Sequence, residues 1–371
     1  MAIIKNIGID AFRLNDYGIG TYIKNTIKHL KGSDENFRYF TFCNPSDVDM
    51  LEQLNPDIVP VMRKKFQYST KDLLTLSLEM KKLNINLYHS THYISPLIHR
   101  LPLVITIHDM LPFEFPDSFE PTLLKGMKNK KIVKAIERAD KIISVSRSTK
   151  SDILKYVPID PEKITVIHNG VDDQFFDKVS SKKVRDFRER YQLNFPFILY
   201  AGNVRIHKNI ERLIECMAEL SEPPYDQYRL VIAGYDIAKN KGLRRLIGKK
   251  GLKERVRFLG YTHKVIFLYK MAKVFVNPSL YEGFGVSVLE SMAVGTPVVA
   301  SNKSALPEVA ADAAMFVDPY NTIEMADAIK KIIDKPRFKN KLVRAGKERA
   351  AQFRWEESVK KLVEVYHEIL K

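Results

Sequence analysis

Residues 278–295 read Pro278-Ser279-Leu280-Tyr281-Glu282-Gly283-Phe284-Gly285-Val286-Ser287-Val288-Leu289-Glu290-Ser291-Met292-Ala293-Val294-Gly295. Just before them, Ala272-Lys273-Val274-Phe275-Val276-Asn277 is short, apolar and β-branched, in the manner of a buried strand. After Gly285 the apolar residues Val286, Leu289, Met292 and Ala293 recur at helical spacing, so the order is strand, glycine-containing loop, helix. Gly283 and Gly285 let the backbone approach a ligand closely, and the first free N–H groups of the following helix suit a phosphate. Glu282 stands on the loop and Glu290 about one turn into the helix, so two carboxylates flank one phosphate-competent turn. Taken alone, a Gly-x-Gly loop is also an ordinary strand-to-helix connector and a helical Glu an ordinary solvated residue.

At 371 residues the chain is too long for one ordinary core, which points to two domains. Hydrophobic content of 45% is globular, and no apolar run reaches the roughly 18 residues that span a bilayer. The start, Met1-Ala2-Ile3-Ile4-Lys5-Asn6, lacks the basic region, apolar run and cleavage site of a signal peptide. Cys43 and Cys216 stand far apart without metal-ligand spacing, against a disulfide framework or zinc site. A soluble protein in a reducing, cytoplasmic setting is the expectation. The formal net charge of +16 implies anionic partners: nucleic acid, phosphorylated substrates or anionic lipid. No zinc-finger spacing or aromatic RNA-binding signature accompanies it, so a non-enzymatic nucleic-acid-binding protein is kept only as the alternative class.

Outward from the motif, residues 197–202 read as a buried strand, followed by Asn203-Val204-Arg205-Ile206-His207-Lys208-Asn209 and a helix over 210–220. Arg205 and Lys208 therefore stand beyond a strand end and before a helix. A bidentate Arg and a point-charge Lys together suit a diphosphate, the alternative being two solvated surface cations. Further strands read over 229–234, 256–260, 297–301 and 313–317, and helices fill most of the remainder.

The first half opens with a strand over 3–11 and a turn, Asn15-Asp16-Tyr17-Gly18-Ile19-Gly20, feeding a helix over about 21–30. The third glycine of a dinucleotide fingerprint is missing, Ile23 standing there, and the strand over 37–43 offers no acidic residue, which argues against an NAD enzyme. Gly18 and Gly20 read either as a phosphate-facing loop or as a plain turn. Residues 62–83 are Lys-rich and amphipathic, a solvated helix or surface loop. Strands over 86–90 and 103–107 end in polar groups, the second at His108-Asp109. Ligands of open α/β sheets lie beyond the carboxyl ends of strands, so His108 and Asp109 are the catalytic candidates of this half, against a His merely satisfied by its neighbour. Between 123 and 141, Lys125, Lys128, Lys130, Lys131, Lys134, Arg138 and Lys141 alternate with Leu124, Met127, Ile132, Val133 and Ile136. Such a helix either lies on an anionic membrane surface or presents a solvated face. Ser146 caps a helix to about 156, and a strand over 164–167 ends at His168-Asn169-Gly170. Strands and helices alternate on both sides of residue 185 or so, which calls for two parallel-sheet domains facing one cleft.

With these pieces in order, the chain resembles the family 4 retaining glycosyltransferases. The central string is similar to their Glu-x7-Glu motif, with the Glu-Gly-Phe-Gly core at 282–285 and a Leu-Glu-Ser-Met-Ala-x-Gly-Thr-Pro-Val-Val continuation at 289–299. Gly18-Ile19-Gly20, Ile143-Ser144-Val145-Ser146, residues 163–172, Ala201-Gly202 and His207-Lys208-Asn209 fall in the family's order; only about residues 44–85 lack a counterpart. The resemblance implies an α/β chain of the GT-B fold: two Rossmann-like domains facing a central cleft. It implies an acceptor-side domain over 1–185, a nucleotide-sugar-binding domain over 186–354, and a C-terminal helix over 355–371 packing back on the first. It further implies a nucleotide-sugar donor as substrate, a glycan acceptor, no metal or other cofactor, no nucleic acid, and transfer with retention.

Carried over by position, Lys208 would neutralise the donor diphosphate and Glu290 would hydrogen-bond the ribose. Glu282, with the N–H groups of Phe284 and Gly285 and the helix start at Val286, would hold the sugar. His108 would meet the sugar's outer hydroxyls, and Gly20, with Gly18, the diphosphate. Many members place an Arg directly after the glycine of the second-domain loop; Asn203 stands there in this chain, and the missing charge is assigned to Arg205. Thr106-Ile107-His108-Asp109-Met110-Leu111-Pro112 is similar to the corresponding string of bacterial polysaccharide mannosyltransferases. That favours mannose from GDP-mannose over a UDP-sugar carrying glucose or N-acetylhexosamine. The expected acceptor is a membrane-associated glycan intermediate of cell-surface polysaccharide (lipopolysaccharide) synthesis, such as a polyprenyl-diphosphate-linked saccharide met at the inner face of the cell membrane, because the basic first domain suits an anionic surface; a soluble acceptor is the alternative.

Overall fold

The computed structural model describes residues 4–64, 66, 68–94, 101–116, 122–234 and 240–371, without the side chains of 122–128. The chain divides into two compact units, Met1–Gly170 with Arg354–Lys371, and Val171–Phe353.

Among the described residues the first unit holds β1 (Lys5–Asp10), β2 (Phe37–Cys43), β3 (Val59–Met62), β4 (Ile85–Ser90), β5 (Leu103–Ile107), β6 (Lys141–Ser144) and β7 (Ile164–Val166), ordered β3-β2-β1-β4-β5-β6-β7. Every pairing is parallel. Parallel sheets are covered on both faces, and β5 (Leu-Val-Ile-Thr-Ile) is accordingly buried at every residue. Two apolar clusters do the covering. One joins Ile7, Ile23, Ile27 and Leu87; the other joins Phe42, Leu76, Ile105, Ile136 and Ile153.

The second unit holds β8 (Phe197–Ala201), β9 (Arg229–Ala233), β10 (Val256–Gly260), β11 (Val274–Asn277), β12 (Val298–Ser301) and β13 (Met315–Val317), ordered β10-β9-β8-β11-β12-β13. These pairings are parallel as well. In each sheet the strand order reverses once, between β1 and β4 and between β8 and β11. Loops diverge there, beyond the carboxyl ends, and a ligand crevice forms.

Several boundaries differ from the sequence reading. The units part at Gly170/Val171 rather than near 185. The helix Ser181–Arg190, expected as the crossing, belongs to the second unit, where Phe187 is buried and packs against Phe267. The C-terminal helix Trp355–Ile369 is counted with the first unit, and Trp355, Val359, Leu362, Val363 and Tyr366 enter its core. Each such burial contributes roughly 1.5–3 kcal/mol. The first helix runs Tyr17–His29, four residues earlier than expected, so Gly18 and Gly20 lie inside its first turns. The 62–83 stretch supplies a helix, Thr70–Lys82, opened by a Ser69/Asp72 capping box and buried through Leu73, Leu76 and Met80.

The basic helix Thr122–Arg138 is present. Of its described apolar residues, Ile132, Ala135 and Ile136 are buried in the first unit's core and Val133 packs half-buried against it, so this face is taken up by the protein itself. Lys130, Lys131 and Lys134 remain exposed. Leu124, Lys125, Met127 and Lys128 have side chains outside the described residues. Among the described residues no helix is long and apolar enough to cross a membrane.

Gly170, the last residue of the first unit before the chain enters the second, is closely packed. A Cβ there would stand 2.4 Å from the backbone nitrogen of Trp355 and 2.6 Å from its ring. Gly170→Ala must push the C-terminal helix off the sheet, and overpacking of this kind costs about 1–3 kcal/mol. The urea midpoint should fall accordingly; an unchanged midpoint would show that the helix does not need this contact.

Candidate active site

The crevice of the second unit is built from two loops. The first follows β8. Arg205 is extended and exposed, a 3-10 turn spans Ile206–Lys208, and Asn209 takes the left-handed conformation at φ 58°. The buried Asn209 amide explains why this conformation is held: Nδ2 donates to Pro278 O at 3.0 Å and to Pro319 O at 2.8 Å. Leu280 N donates to His207 O at 2.7 Å, a further tie between this loop and the one after β11. The helix that follows runs Ile210–Cys216, shorter than the expected span to 220.

The second loop follows β11 and carries Glu282. Lys208 Nζ lies 2.7 Å from Glu282 Oε1, with the two side chains 18% and 14% exposed. The same Oε1 accepts from Ser279 Oγ at 2.8 Å and from Asn277 Nδ2 at 3.4 Å. Ser304 fixes the backbone, its hydroxyl donating to Glu282 O at 2.6 Å and accepting from Glu282 N at 3.2 Å. Burial acts to raise the Glu282 pKa, but Lys208 and the Ser279 hydrogen bond outweigh it and hold the carboxyl below its ordinary range. His207, buried beside Lys208, is lowered to about 4 and is neutral at pH 7.

Gly285 then turns the chain into the helix Val286–Val294. Its φ is 97°, and a Cβ would meet Leu306 Cδ2 at 2.6 Å, so the position requires glycine twice over. Phe284 is buried with its ring edge-on to Phe353. The amides of the helix's first turn, Val286 and Ser287, have no intrahelical acceptor and are available to an anion. Glu290 Oε2 accepts from the hydroxyl of the buried Tyr269 at 3.0 Å. Burial pushes the Glu290 carboxyl up to about 7 against that hydrogen bond, and the Asp172 carboxylate adds to the push. Thr296 Oγ1 donates to Tyr269 O at 2.6 Å, which fixes the helix bearing that tyrosine.

In the first unit, His108 follows β5. Its Nε2 lies 2.9 Å from Thr91 O; a carbonyl only accepts, so Nε2 carries the proton and Nδ1 is the open acceptor. Burial lowers its pKa to about 4 despite that bond, with Arg13 adding to the effect. Tyr22 meets the ring edge-on at 4.9 Å. Tyr22 is held through Thr106 and His89 to Tyr366, by contacts of 3.0, 2.8 and 2.6 Å. Asp109 accepts from Leu111 N at 3.0 Å and shapes the turn. Gly20 N donates to Asp16 O at 2.7 Å, so its amide serves the helix, and a Cβ there would strike Leu14 O at 2.3 Å. Gly18 has open space where a Cβ would stand.

Within the second unit the fold thus brings Lys208 against Glu282, with Arg205 on the same loop as Lys208 and with Gly285, Val286 and Glu290 following Glu282 on the turn and helix after β11. His108, Gly18 and Gly20 belong to the first unit. Sequence reasoning missed Ser279, Tyr269 and Ser304. Asn209 was legible only as a residue of the His207-Lys208-Asn209 string, without a role.

Two family models match the chain: "Glycosyltransferase Family 4" over residues 17–175 and "Glycosyl transferases group 1" over 182–349. The O-antigen chain mannosyltransferase RfbU of Salmonella typhimurium is 30% identical over 323 residues, covering 81% of this chain and 85% of that protein. The chain belongs to the family 4 glycosyltransferases. To this glycosyltransferase the O-antigen chain mannosyltransferase B of Escherichia coli is 28% identical over 284 residues, 76% of one chain and 74% of the other. Anabaena HepE, solved in complex with UDP-glucose, shares the fold with a TM-score of 0.81 at 19% identity, over 98% of this chain and 99% of that one. The glycosyltransferase is therefore an enzyme, which removes the reading as a non-enzymatic basic protein.

Glu290 gives the site a pH signature. Its folded pKa of about 7 lies above the ordinary 4.5, so its contribution to stability is present below pH 4.5 and is lost as pH rises through about 7. Glu290→Gln should remove that decline from the urea midpoint measured across the pH range. Parallel curves for the two proteins would show that Glu290 does not titrate there.

Proposed function

We propose that this glycosyltransferase moves a hexose, mannose from GDP-mannose, to a glycan acceptor in cell-surface polysaccharide synthesis, with retention and without a metal ion. The observation that carries the reading is the largely buried Lys208 against Glu282, the residue that leads through Gly285 into the helix Val286–Val294 and its Glu290. In this reading the cation and the helix's first amides take the diphosphate, and the two carboxylates take sugar and ribose hydroxyls. The names of the two mannosyltransferase relatives and the 106–112 string support mannose and the polysaccharide setting.

The chemistry follows from charge. As the glycosidic bond breaks, negative charge grows on the leaving diphosphate, and Lys208, Arg205 and the helix amides stabilise it where it develops. In water-excluding surroundings one such donor contributes about 3–4 kcal/mol. Glu282 orients the sugar and Glu290 the ribose. The acceptor hydroxyl attacks the face that the leaving group vacates and gives its proton to the departing diphosphate oxygen, so the bond from the anomeric carbon to the diphosphate breaks, the bond to the acceptor forms, and the anomeric configuration is retained. A polyprenyl-diphosphate-linked acceptor would be met at the inner face of the cell membrane, where the exposed Lys130, Lys131 and Lys134 act by electrostatic attraction alone.

Calorimetric titration with GDP, UDP and ADP, each with EDTA present, tests the donor. GDP should bind and the others should bind at least about tenfold more weakly, a difference of about 1.4 kcal/mol. Preference for UDP would transfer the donor to a UDP-sugar, and dependence on a divalent ion would end the metal-free reading. Lys208→Ala should lower turnover at least about tenfold at saturating donor; near wild-type turnover would refute the assignment. NMR of the product should show the donor's anomeric configuration, and an inverted product would end the front-face scheme.

A further inference from the structure

The Lys208–Glu282 pair poses a problem for the proposed reaction. The cation assigned to the diphosphate is already neutralised, at 2.7 Å, by a carboxylate of the same crevice. This carboxylate is built in. The fully buried Ser279 donates to the very oxygen that faces Lys208, Asn277 approaches the same oxygen, and Ser304 grips the Glu282 backbone on both its N–H and its carbonyl. Asn209 holds Lys208 to this arrangement by tying its turn to Pro278, one residue before Ser279. All three side-chain contacts converge on Oε1 and leave Oε2 to a ligand hydroxyl.

We propose that Glu282, braced by Ser279, is the counter-ion that competes with the nucleoside diphosphate product for Lys208 and so speeds its release. The inference rests on the assignment of Lys208 to the donor diphosphate. Its logic lies in the difference between substrate and product. The intact donor presents sugar hydroxyls that engage Glu282 and draw its charge toward the sugar. After transfer those hydroxyls have left with the acceptor, and Lys208 is the charged partner that remains to Glu282. The product diphosphate, now carrying an additional ionised oxygen, is the more strongly anionic ligand and needs the stronger competitor. One carboxylate thus holds the sugar before transfer and reclaims the lysine after it.

Replacing one member of a buried charge pair leaves the other uncompensated and eager for a new anion. Titration of GDP and UDP into wild type, Glu282→Gln, Ser279→Ala, Lys208→Ala and the Lys208→Ala/Glu282→Gln double variant tests this, with thermal melts confirming the fold of each. Glu282→Gln should bind the preferred nucleoside diphosphate about tenfold more tightly than wild type. Ser279→Ala keeps the charge but loosens its hold, and should tighten binding by a smaller factor. The gain should vanish when Lys208 is absent. Equal or weaker binding by a folded Glu282→Gln, or a gain that persists without Lys208, overturns the proposal while leaving the donor site standing. If Glu282→Gln does not fold, unchanged binding by Ser279→Ala overturns it. A wild type that binds no nucleoside diphosphate removes the donor-site reading and this inference together.

Discussion

The pairing of β8 with β11 governs the chemistry of the second unit. Ile198 and Leu199 lie opposite Val274 and Phe275, in register and fully buried. From β8 the chain proceeds to β9 on one side, and from β11 to β12 on the other, so the two following loops must diverge. Lys208 comes from one of them and Glu282 from the other, 74 positions apart in the numbering and 2.7 Å apart in space. The crossings of the chain between the strands deliver this contact, and neither loop creates it alone. The first unit repeats the construction at β1 and β4. There the strand ends bring Asp10 and Thr91 together, and Thr91 in turn holds His108.

Two carboxylates of one motif, eight positions apart, are given opposite tendencies by their surroundings. Glu282 has a lysine and a hydroxyl on the same oxygen and stays ionised. Glu290 has a phenol for a partner and another carboxylate nearby, and rises to about 7. Environments that push similar groups apart in pKa commonly mark separate roles. An ionised Glu282 competes electrostatically for cations. Glu290, near its midpoint at neutral pH, carries only part of a negative charge there. The motif thus has one carboxylate that is fully charged and one that is not, which limits the repulsion that two full charges would exert.

Much of the fold was legible because parallel strands and their helices obey simple periodicities. The apolar strands over 103–107 and 274–277, and the Ser146 cap, which accepts from Thr149 N, lie where the pattern puts them. The boundary at Gly170/Val171 was not legible, since the charged stretch over 180–190 looks like a linker until Phe187 is seen buried against Phe267. The early start of the helix Tyr17–His29 was hidden by two glycines that signal a turn. Gly20 is there for another reason, the 2.3 Å approach of Leu14 O to any Cβ. Within the site, Lys208, Glu282 and Glu290 stood out as charges beside strand ends. Tyr269, Ser279 and Ser304 carry no such mark, because an aromatic or hydroxyl residue acquires its role only from the neighbour that folding supplies.

The overall charge of +16 is a poor guide to which cations matter. Lys241, Arg244, Arg245 and Lys249 lie exposed on the helix Lys241–Lys249, where water and salt screen them. Their sum produces a field that attracts anions from a distance and raises encounter rates. Lys208 has the same formal charge but sits largely out of water, against a fixed carboxylate, where each charge acts through a lower effective dielectric. Strength of that order in an unopposed cation would hold a diphosphate product as firmly as it stabilises a leaving one. Turnover requires both stabilisation at bond cleavage and release afterwards, so a buried cation in such a crevice functions best with a competing anion within reach.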